Sequence, residues 1–284
     1  MTDTVGQKPD ASVPAPPWPE LDARQMRMID DLAEGIGLGL LQMMENAGRA
    51  LALVASERFL GGNAAGRAVV VSVGAGGNGG GALVAARRLA TWGADVGVVL
   101  LREPAADTAA AHQLSIVRAM GIPVLSDVPA RCELILDGMI GYSLRGTPDG
   151  RAAELIQDIN VGNRPVLSLD VPSGFDAMRG EPGAVCIRAD ATVTLAAPKR
   201  GLSAAQHRAI VGDLYLADIS IPPHLYMQLS PPVSMPSFGG NDIVRLAPHR
   251  GQRFRSANVT NGAFRRQTVA VKPIERPDRP GVGV

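Results

Sequence analysis

The stretch VSVGAGGNGGGALVAARRL, residues 71–89, decides the fold. An apolar run, AVVVSV at 68–73, feeds into it, and ALVAARRLATWG at 82–93 leaves it with helical spacing and a closing Gly93. Strand, glycine loop and helix in that order open a parallel α/β sheet. Gly74, Gly76 and Gly79 satisfy the G-x-G-x-x-G fingerprint of dinucleotide-binding folds. The fingerprint alone leaves the ligand open, because the same glycines make any tight strand-to-helix turn. An acid that holds a ribose belongs at the end of the next strand, about 20 residues on. Glu103 stands only near that place, just past Arg102. The loop also carries Asn78, followed by Gly79, Gly80 and Gly81. Backbone without Cβ atoms around an amide oxygen suits a cation as well as a phosphate.

Working outward, helical spacing begins at Asp22 with Met26, Ile29, Leu32, Ala33 and Ile36, and a second helix is expected over 40–59. Further strands at 95–101, 133–137, 165–170, 191–198 and 212–219 are interleaved with helices at 105–121 and 150–160. This alternation predicts an α/β fold with a mostly parallel central sheet covered on both faces. Residues 1–21 read as a disordered arm, 22–223 as the domain, and 224–284, basic, Pro-rich and without clear periodicity, as a disordered tail.

Hydrophobic residues make up 46% of the 284 and support a substantial core, while 4% aromatics leave the packing to Ala, Val, Leu and Gly. A net charge of +1 gives no electrostatic case for nucleic acid or a membrane surface. Cys132 and Cys186 form neither a disulfide framework nor a zinc site, and read as small hydrophobes in a reducing cytoplasm. Neither a secretory signal nor an apolar run of about 18–20 residues is visible.

In open α/β sheets, ligands bind beyond the carboxyl ends of the strands. Three polar clusters fall there: the glycine loop, DGMIGYSLRGTPDG beginning at Asp137, and DVPSGFDA beginning at Asp170. Taken singly, each reads as a cap or a turn. Taken together, they converge on one cleft. Asn78, Asp137 and Ser173 offer hard oxygens, which suit an alkali or alkaline-earth ion rather than zinc. The histidines, at 112, 207, 224 and 249, are dispersed.

Those loops, in that order, resemble the NAD(P)H-hydrate epimerase family, also called the YjeF N-terminal domain family, over about residues 22–222. The likeness is carried by MRMIDDLAEGIGLGLLQMMENAG (26–48), GAGGNGGGALVAARRL (74–89), DGMIGYSLRG (137–146), SLDVPSGFDA (168–177), TVTLAAPKRGL (192–202) and GDLYLADISIP (212–222). The resemblance implies a Rossmann-like three-layer α/β/α fold, often a homodimer. It implies interconversion of the R and S epimers of hydrated NAD(P)H, with a separate dehydratase as pathway partner. It also implies one potassium ion per subunit, held by Asn78, Asp137 and Ser173. The substrate would lie against Gly77, Asn78, Gly79, Gly80 and Gly81, against Gly141, Tyr142, Ser143, Leu144, Arg145, Gly146 and Thr147, and against a catalytic Asp170.

The family loop usually reads G-x-G-N-N-G-G-D-G. Here its first Asn is Gly77, its Asp is Gly81 and the Gly after that is Ala82. Loss and return of the hydroxyl through an iminium-like species calls for an acid/base group at the hydroxyl and oxygens near the developing cation. Asp170 offers one carboxylate. The loop Asp that could have been a second is missing, so reduced activity is expected. The alternative is a non-catalytic nucleotide-binding or scaffold module on the same fold. An ordinary dehydrogenase is disfavoured, since no proton-transfer His or Tyr is evident.

Overall fold

The computed structural model describes residues 18–246. Two helices come first, α1 (Ala23–Gly35) and α2 (Leu40–Val54), the second running into a π-turn at Ala55–Phe59. Asp22 Oδ1 accepts the N–H groups of Arg24 and Gln25, and Gln25 Oε1 accepts the Asp22 N–H. This capping box sets the start of α1. β1 (Ala68–Val73), α3 (Gly77–Thr91), β2 (Asp95–Leu100), α4 (Ala109–Ala119) and β3 (Val124–Leu125) build one half of the sheet. β4 (Leu134–Gly138), α5 (Gly150–Val161), β5 (Val166–Leu169), the hairpin β6 (Phe175–Asp176) and β7 (Glu181–Pro182), β8 (Ala191–Leu195), α6 (Arg208–Val211) and β9 (Asp213–Ala217) build the other. α7 (Pro223–Tyr226) and β10 (Ile243–Arg245) follow.

The strand order is β10-β9-β8-β5-β4-β1-β2-β3, parallel throughout except for β10 on β9. β1 lies between β2 and β4, so the winding reverses there and opens a crevice beyond the carboxyl ends of β1 and β4. Alternate residues face opposite layers. Val69, Val71 and Val73 pack with Leu51 of α2, Leu83 of α3 and Leu114 of α4, while Val70 joins Ile135 and the Leu155, Ile156 and Ile159 face of α5. The mostly parallel α/β sheet expected from the alternation is the one found.

Three expectations are corrected. Gly77–Gly81 are not a loop: α3 already starts at Gly77. A glycine costs about 1 kcal/mol in a helix, but here close packing overrides propensity. A Cβ on Gly79 would stand 1.8 Å from Gly74 O, and one on Gly48 of α2 would stand 2.4 Å from Gly81 O. The arm does not reach residue 21. Leu21 is fully buried, Glu20 accepts the N–H groups of Gly201 and Ser203, and the Trp18 ring packs tilted against Phe238 with centroids 4.8 Å apart. Nor does the domain stop at 223. Leu225, Tyr226 and Leu229 pack on Met26 and Ile29 of α1, and β10 extends the sheet. These apolar positions are too few and too irregularly spaced to make a period, yet each covers an edge. The remainder of the expected arm (1–21) and tail (224–284), residues 1–17 and 247–284, lies outside the described residues.

Candidate functional site

β5 ends at Leu169, and Asp170 turns the chain with a left-handed φ of 71°, a conformation Asp tolerates better than most residues. Its N–H donates to Val193 O at 2.7 Å, which ties the turn to β8. Asp170 Oδ2 accepts the Tyr142 N–H at 2.9 Å, and Oδ1 lies 2.5 Å from Lys199 Nζ. Both side chains of this ion pair are almost wholly buried, and Lys199 also donates to Leu195 O at 2.6 Å. The Lys199 ammonium sits 5.9 Å from the centre of the Tyr142 ring, within reach of a cation–π attraction.

The Tyr142 O–H donates to Asp30 Oδ2 at 2.5 Å. Burial, with Asp30 beside it, pushes the Tyr142 phenol above its ordinary pKa, so it stays a neutral donor. On α1, Met26, Ile29 and Ala33 face the core, and Asp30 lies on the flank of that stripe, turned toward the crevice. Burial raises the Asp30 carboxyl above the usual carboxylate range, while the Tyr142 hydroxyl and the Lys199 ammonium pull it back. These residues line a cavity of about 340 Å³ together with Gly77, Asn78, Gly81, Gly141 and Ser143, with Met43 and Met44 as part of its apolar wall. That volume lies in the range of small-molecule sites.

A second polar cluster lies behind this cavity. Asp137 at the end of β4 is fully buried. Its Oδ1 accepts the Ser173 hydroxyl at 2.5 Å and the Met139 N–H at 3.3 Å, and its Oδ2 accepts the Ser168 hydroxyl at 2.8 Å and the Ser173 N–H at 2.9 Å. Burial raises the Asp137 carboxyl, and these donors oppose the shift. Ser173 Oγ in turn accepts the Ile140 N–H at 2.9 Å. The next residue, Gly141, lies between Asn78 and Asp170: a Cβ there would be 3.2 Å from Asn78 Cγ and 3.0 Å from Asp170 Oδ2. Both amide atoms of Asn78 are buried without a hydrogen-bond partner among the described residues. An orphaned, buried amide oxygen is a hard donor that fits an alkali or alkaline-earth cation.

Of the residues expected at the site, Gly77, Asn78, Gly81, Gly141, Tyr142, Ser143 and Asp170 line the cavity. Asp137 and Ser173 are bonded to each other behind it. Gly79 and Gly80 serve the packing of α3 against Gly74 and Met44 and do not line it. Leu144, Arg145, Gly146 and Thr147 lie outside it, the last three exposed. Glu103, weighed as a ribose ligand, pairs with Arg118 at 2.5 Å on the surface instead. Asp30 and Lys199 are not among the residues expected at the site. The signal for Lys199 was present: the chain has three lysines among its twenty-eight basic residues, and one of them follows a strand in TVTLAAPKRGL. Nothing local distinguishes Asp30 from Asp31.

The family model for the YjeF-related protein N-terminus matches residues 40–201. An NAD(P)H-hydrate epimerase from Dehalogenimonas lykanthroporepellens is 43% identical over 205 residues, which cover 71% of this chain and 82% of that protein. One from Cenarchaeum symbiosum is 35% identical, covering 72% of this chain and 96% of its own length. A bifunctional NAD(P)H-hydrate repair enzyme from Hyperthermus butylicus is 34% identical, and the match covers 72% of this chain but 39% of that one. The chain thus spans about two fifths of that bifunctional relative. The crystal structure of yeast ynu0 superposes with a TM-score of 0.69 at 22% identity, over 80% of this chain and all of that one.

Proposed function

The chain belongs to the family of the YjeF-related protein N-terminus, and on that premise we propose that it is an NAD(P)H-hydrate epimerase, an isomerase acting in nicotinamide cofactor repair. Within the site, the observation that supports this reading is the buried Asp170–Lys199 pair facing a cavity at the reversal point of the sheet. The reaction inverts a carbon that carries a hydroxyl next to a ring nitrogen. As the hydroxyl leaves, positive charge develops over that carbon and the nitrogen. Asp170 is the group proposed to face that charge, and Lys199 holds its carboxylate oriented while the substrate is away. Preorganised charge in a water-poor site stabilises a transition state without reorganisation. Gly141 lets the substrate ring approach, since any side chain there would meet Asn78 and Asp170. The cavity is proposed to take the reacting ring, and the exposed 145–147 segment to run along the rest of the dinucleotide.

Asn78, Asp137 and Ser173 are the proposed holders of a potassium ion. When bound, such an ion supplies a fixed positive charge that offsets the buried Asp137 carboxylate and steadies the 138–141 turn. The pathway partner is proposed to be a dehydratase that consumes one epimer, and the setting to be the cytoplasm, with the chain as a homodimer.

The test is a coupled assay. A dehydratase removes the epimer it accepts, and disappearance of the other is followed with and without this protein. Turnover well above the spontaneous rate supports the proposal. A rate equal to the spontaneous one, with NAD(P)H hydrate still bound, would leave a nucleotide-binding module in its place, the reading favoured by glycine at positions 77 and 81.

A further inference from the structure

Acid-assisted departure of a hydroxyl needs a proton donor, and Asp170 is poorly placed for that role because Lys199 and the Tyr142 N–H engage both of its oxygens. The glycine loop offers no second carboxylate, since Gly81 stands where the family's Asp would be. The cavity nevertheless contains one. Asp30 reaches it from α1, 112 residues before Tyr142 in the chain. Its Oδ2 is taken by the Tyr142 hydroxyl, and no group among the described residues engages Oδ1. Tyr142 holds both carboxylates at once, Asp170 by its N–H and Asp30 by its O–H. The distance between them is therefore set by the length of one rigid side chain rather than by two independent rotamers.

Resting on the epimerase reading, we propose that Asp30 is the second carboxylate of this site, the acid/base group at the substrate hydroxyl, and that Tyr142 positions it. In the first half, Asp30 gives its proton to the hydroxyl. The carbon–oxygen bond breaks, water departs, and the ring-nitrogen lone pair closes the C=N bond of the iminium, leaving Asp30 as a carboxylate. In the second half, water adds to the opposite face of the ring, turned about its bond to the sugar. The C=N electrons return to nitrogen, and Asp30 takes back the proton. Nothing is oxidised, and the water lost equals the water regained.

The surroundings of the two carboxylates differ. Asp170 faces an ammonium. Asp30 faces burial first, with the Tyr142 hydroxyl and Lys199 favouring its charged form and Asp170 and Glu34 opposing it. Arg27 and Asp31 of its own helix sit on the cavity wall beside it. A carboxyl group whose burial favours its protonated form is suited to donate a proton in such a site.

The experiment follows catalysed interconversion, after subtraction of the spontaneous rate, from pH 5 to 9 in wild type, Asp30→Asn, Asp30→Glu and Tyr142→Phe. Binding of NADPH hydrate and thermal melting are measured for each protein. The wild-type rate should fall as pH rises through the raised Asp30 pKa, because only the protonated form donates. Asp30→Asn should lose about 10²-fold or more of turnover, with binding changed little, and Asp30→Glu should recover at least about tenfold of that loss. Tyr142→Phe removes a hydrogen bond that favours the carboxylate, so its fall should move to higher pH. Turnover of Asp30→Asn within about twofold of wild type, with an unaltered pH profile, overturns the proposal and leaves the epimerase reading standing. Wild type at the spontaneous rate overturns both, before any substitution is compared. If Asp30→Asn does not fold, unaltered profiles in both Asp30→Glu and Tyr142→Phe overturn the proposal.

Discussion

Asp137 and Asp170 are buried carboxylates on the same edge of one sheet, and the protein holds them in opposite ways. Four dipoles close around Asp137, two from hydroxyls and two from backbone N–H groups, with no cationic side chain among them. Asp170 is held by a full ammonium and one N–H. The difference teaches where uncompensated charge sits. The Asp137 cluster has no cationic partner among the described residues, and it is there that the potassium ion is proposed to bind. The Asp170 cluster pairs one carboxylate with one ammonium, and its carboxylate is the group proposed to meet positive charge that appears only during reaction.

The contrast predicts unequal responses to losing a partner. Lys199→Met leaves Asp170 buried and unpaired, so unfolding in urea should show a loss of about 3–5 kcal/mol. Adding Asp170→Asn to that variant should recover much of it, because the amide is uncharged and Asn also tolerates the left-handed turn. Asp170→Asn should also lower turnover about 10²–10³-fold, the loss of one preorganised electrostatic group. A small stability loss in Lys199→Met would mean that Asp170 takes up a proton instead of staying charged, and the contrast between the clusters would disappear.

Asp137→Asn is expected to be milder, about 1–3 kcal/mol, because it leaves buried donors facing an amide NH₂ without turning any cation loose. The same substitution sharpens the comparison through the ion. Wild type should melt at a higher temperature in potassium chloride than in choline chloride at equal ionic strength, and the variant should not distinguish the two salts. An equal difference in both proteins would remove the ion from this cluster.

A smaller effect is expected from Gly81→Asp. Gly81 has an ordinary helical backbone, and an added Cβ would stand 3.0 Å from Leu169 Cδ2 and 3.6 Å from the Ala47 Cβ. A leucine methyl can move by a few tenths of an ångström, so the fold should survive. If Asp30 already supplies the acid, turnover should rise less than about tenfold, whereas recovery of a full acid/base contribution of about 10²–10⁴-fold would show that the loop carboxylate was the missing one. The least response belongs to Cys186 on the far side of the sheet. Burial, with Asp137 nearby, pushes its thiol up to about 12, so iodoacetamide at pH 8 should leave it unmodified in the folded protein over hours and alkylate it in urea.

The two clusters also differ in how far the sequence discloses them. Asn78, Asp137 and Ser173 each stand within a few residues of a strand end, in segments where an apolar run gives way to Gly, Pro and polar residues. Such segments are readable because strand ends in an open α/β sheet share one side. Asp170 is readable for the same reason. Asp30 is not, since its contact with Tyr142 depends on how α1 lies across the mouth of the crevice, and no local pattern encodes that; Lys199 stands out as a rare lysine past a strand, but its pairing with Asp170 is visible only in the fold. The run Gly77–Gly81 misleads in the opposite sense: five residues of loop-like composition are helical because their flatness lets α2 approach. Residues 224–246 escape notice because their role is to cover edges, which needs a few apolar side chains and no period.

β10 has a consequence for behaviour at high concentration. It is three residues long and antiparallel, with Arg245 paired to Asp213 at 2.8 Å. At the opposite margin the sheet ends in β3, two residues long. A long apolar strand with free N–H and C=O groups is a template for another chain. β9 would be such a strand, five residues with Leu214, Tyr215 and Leu216 at its centre, if β10 did not occupy its outer side. The segment that looked like the start of a tail therefore protects the protein from edge-to-edge aggregation, and a shortened version ending before residue 243 would be the form to watch for turbidity on storage.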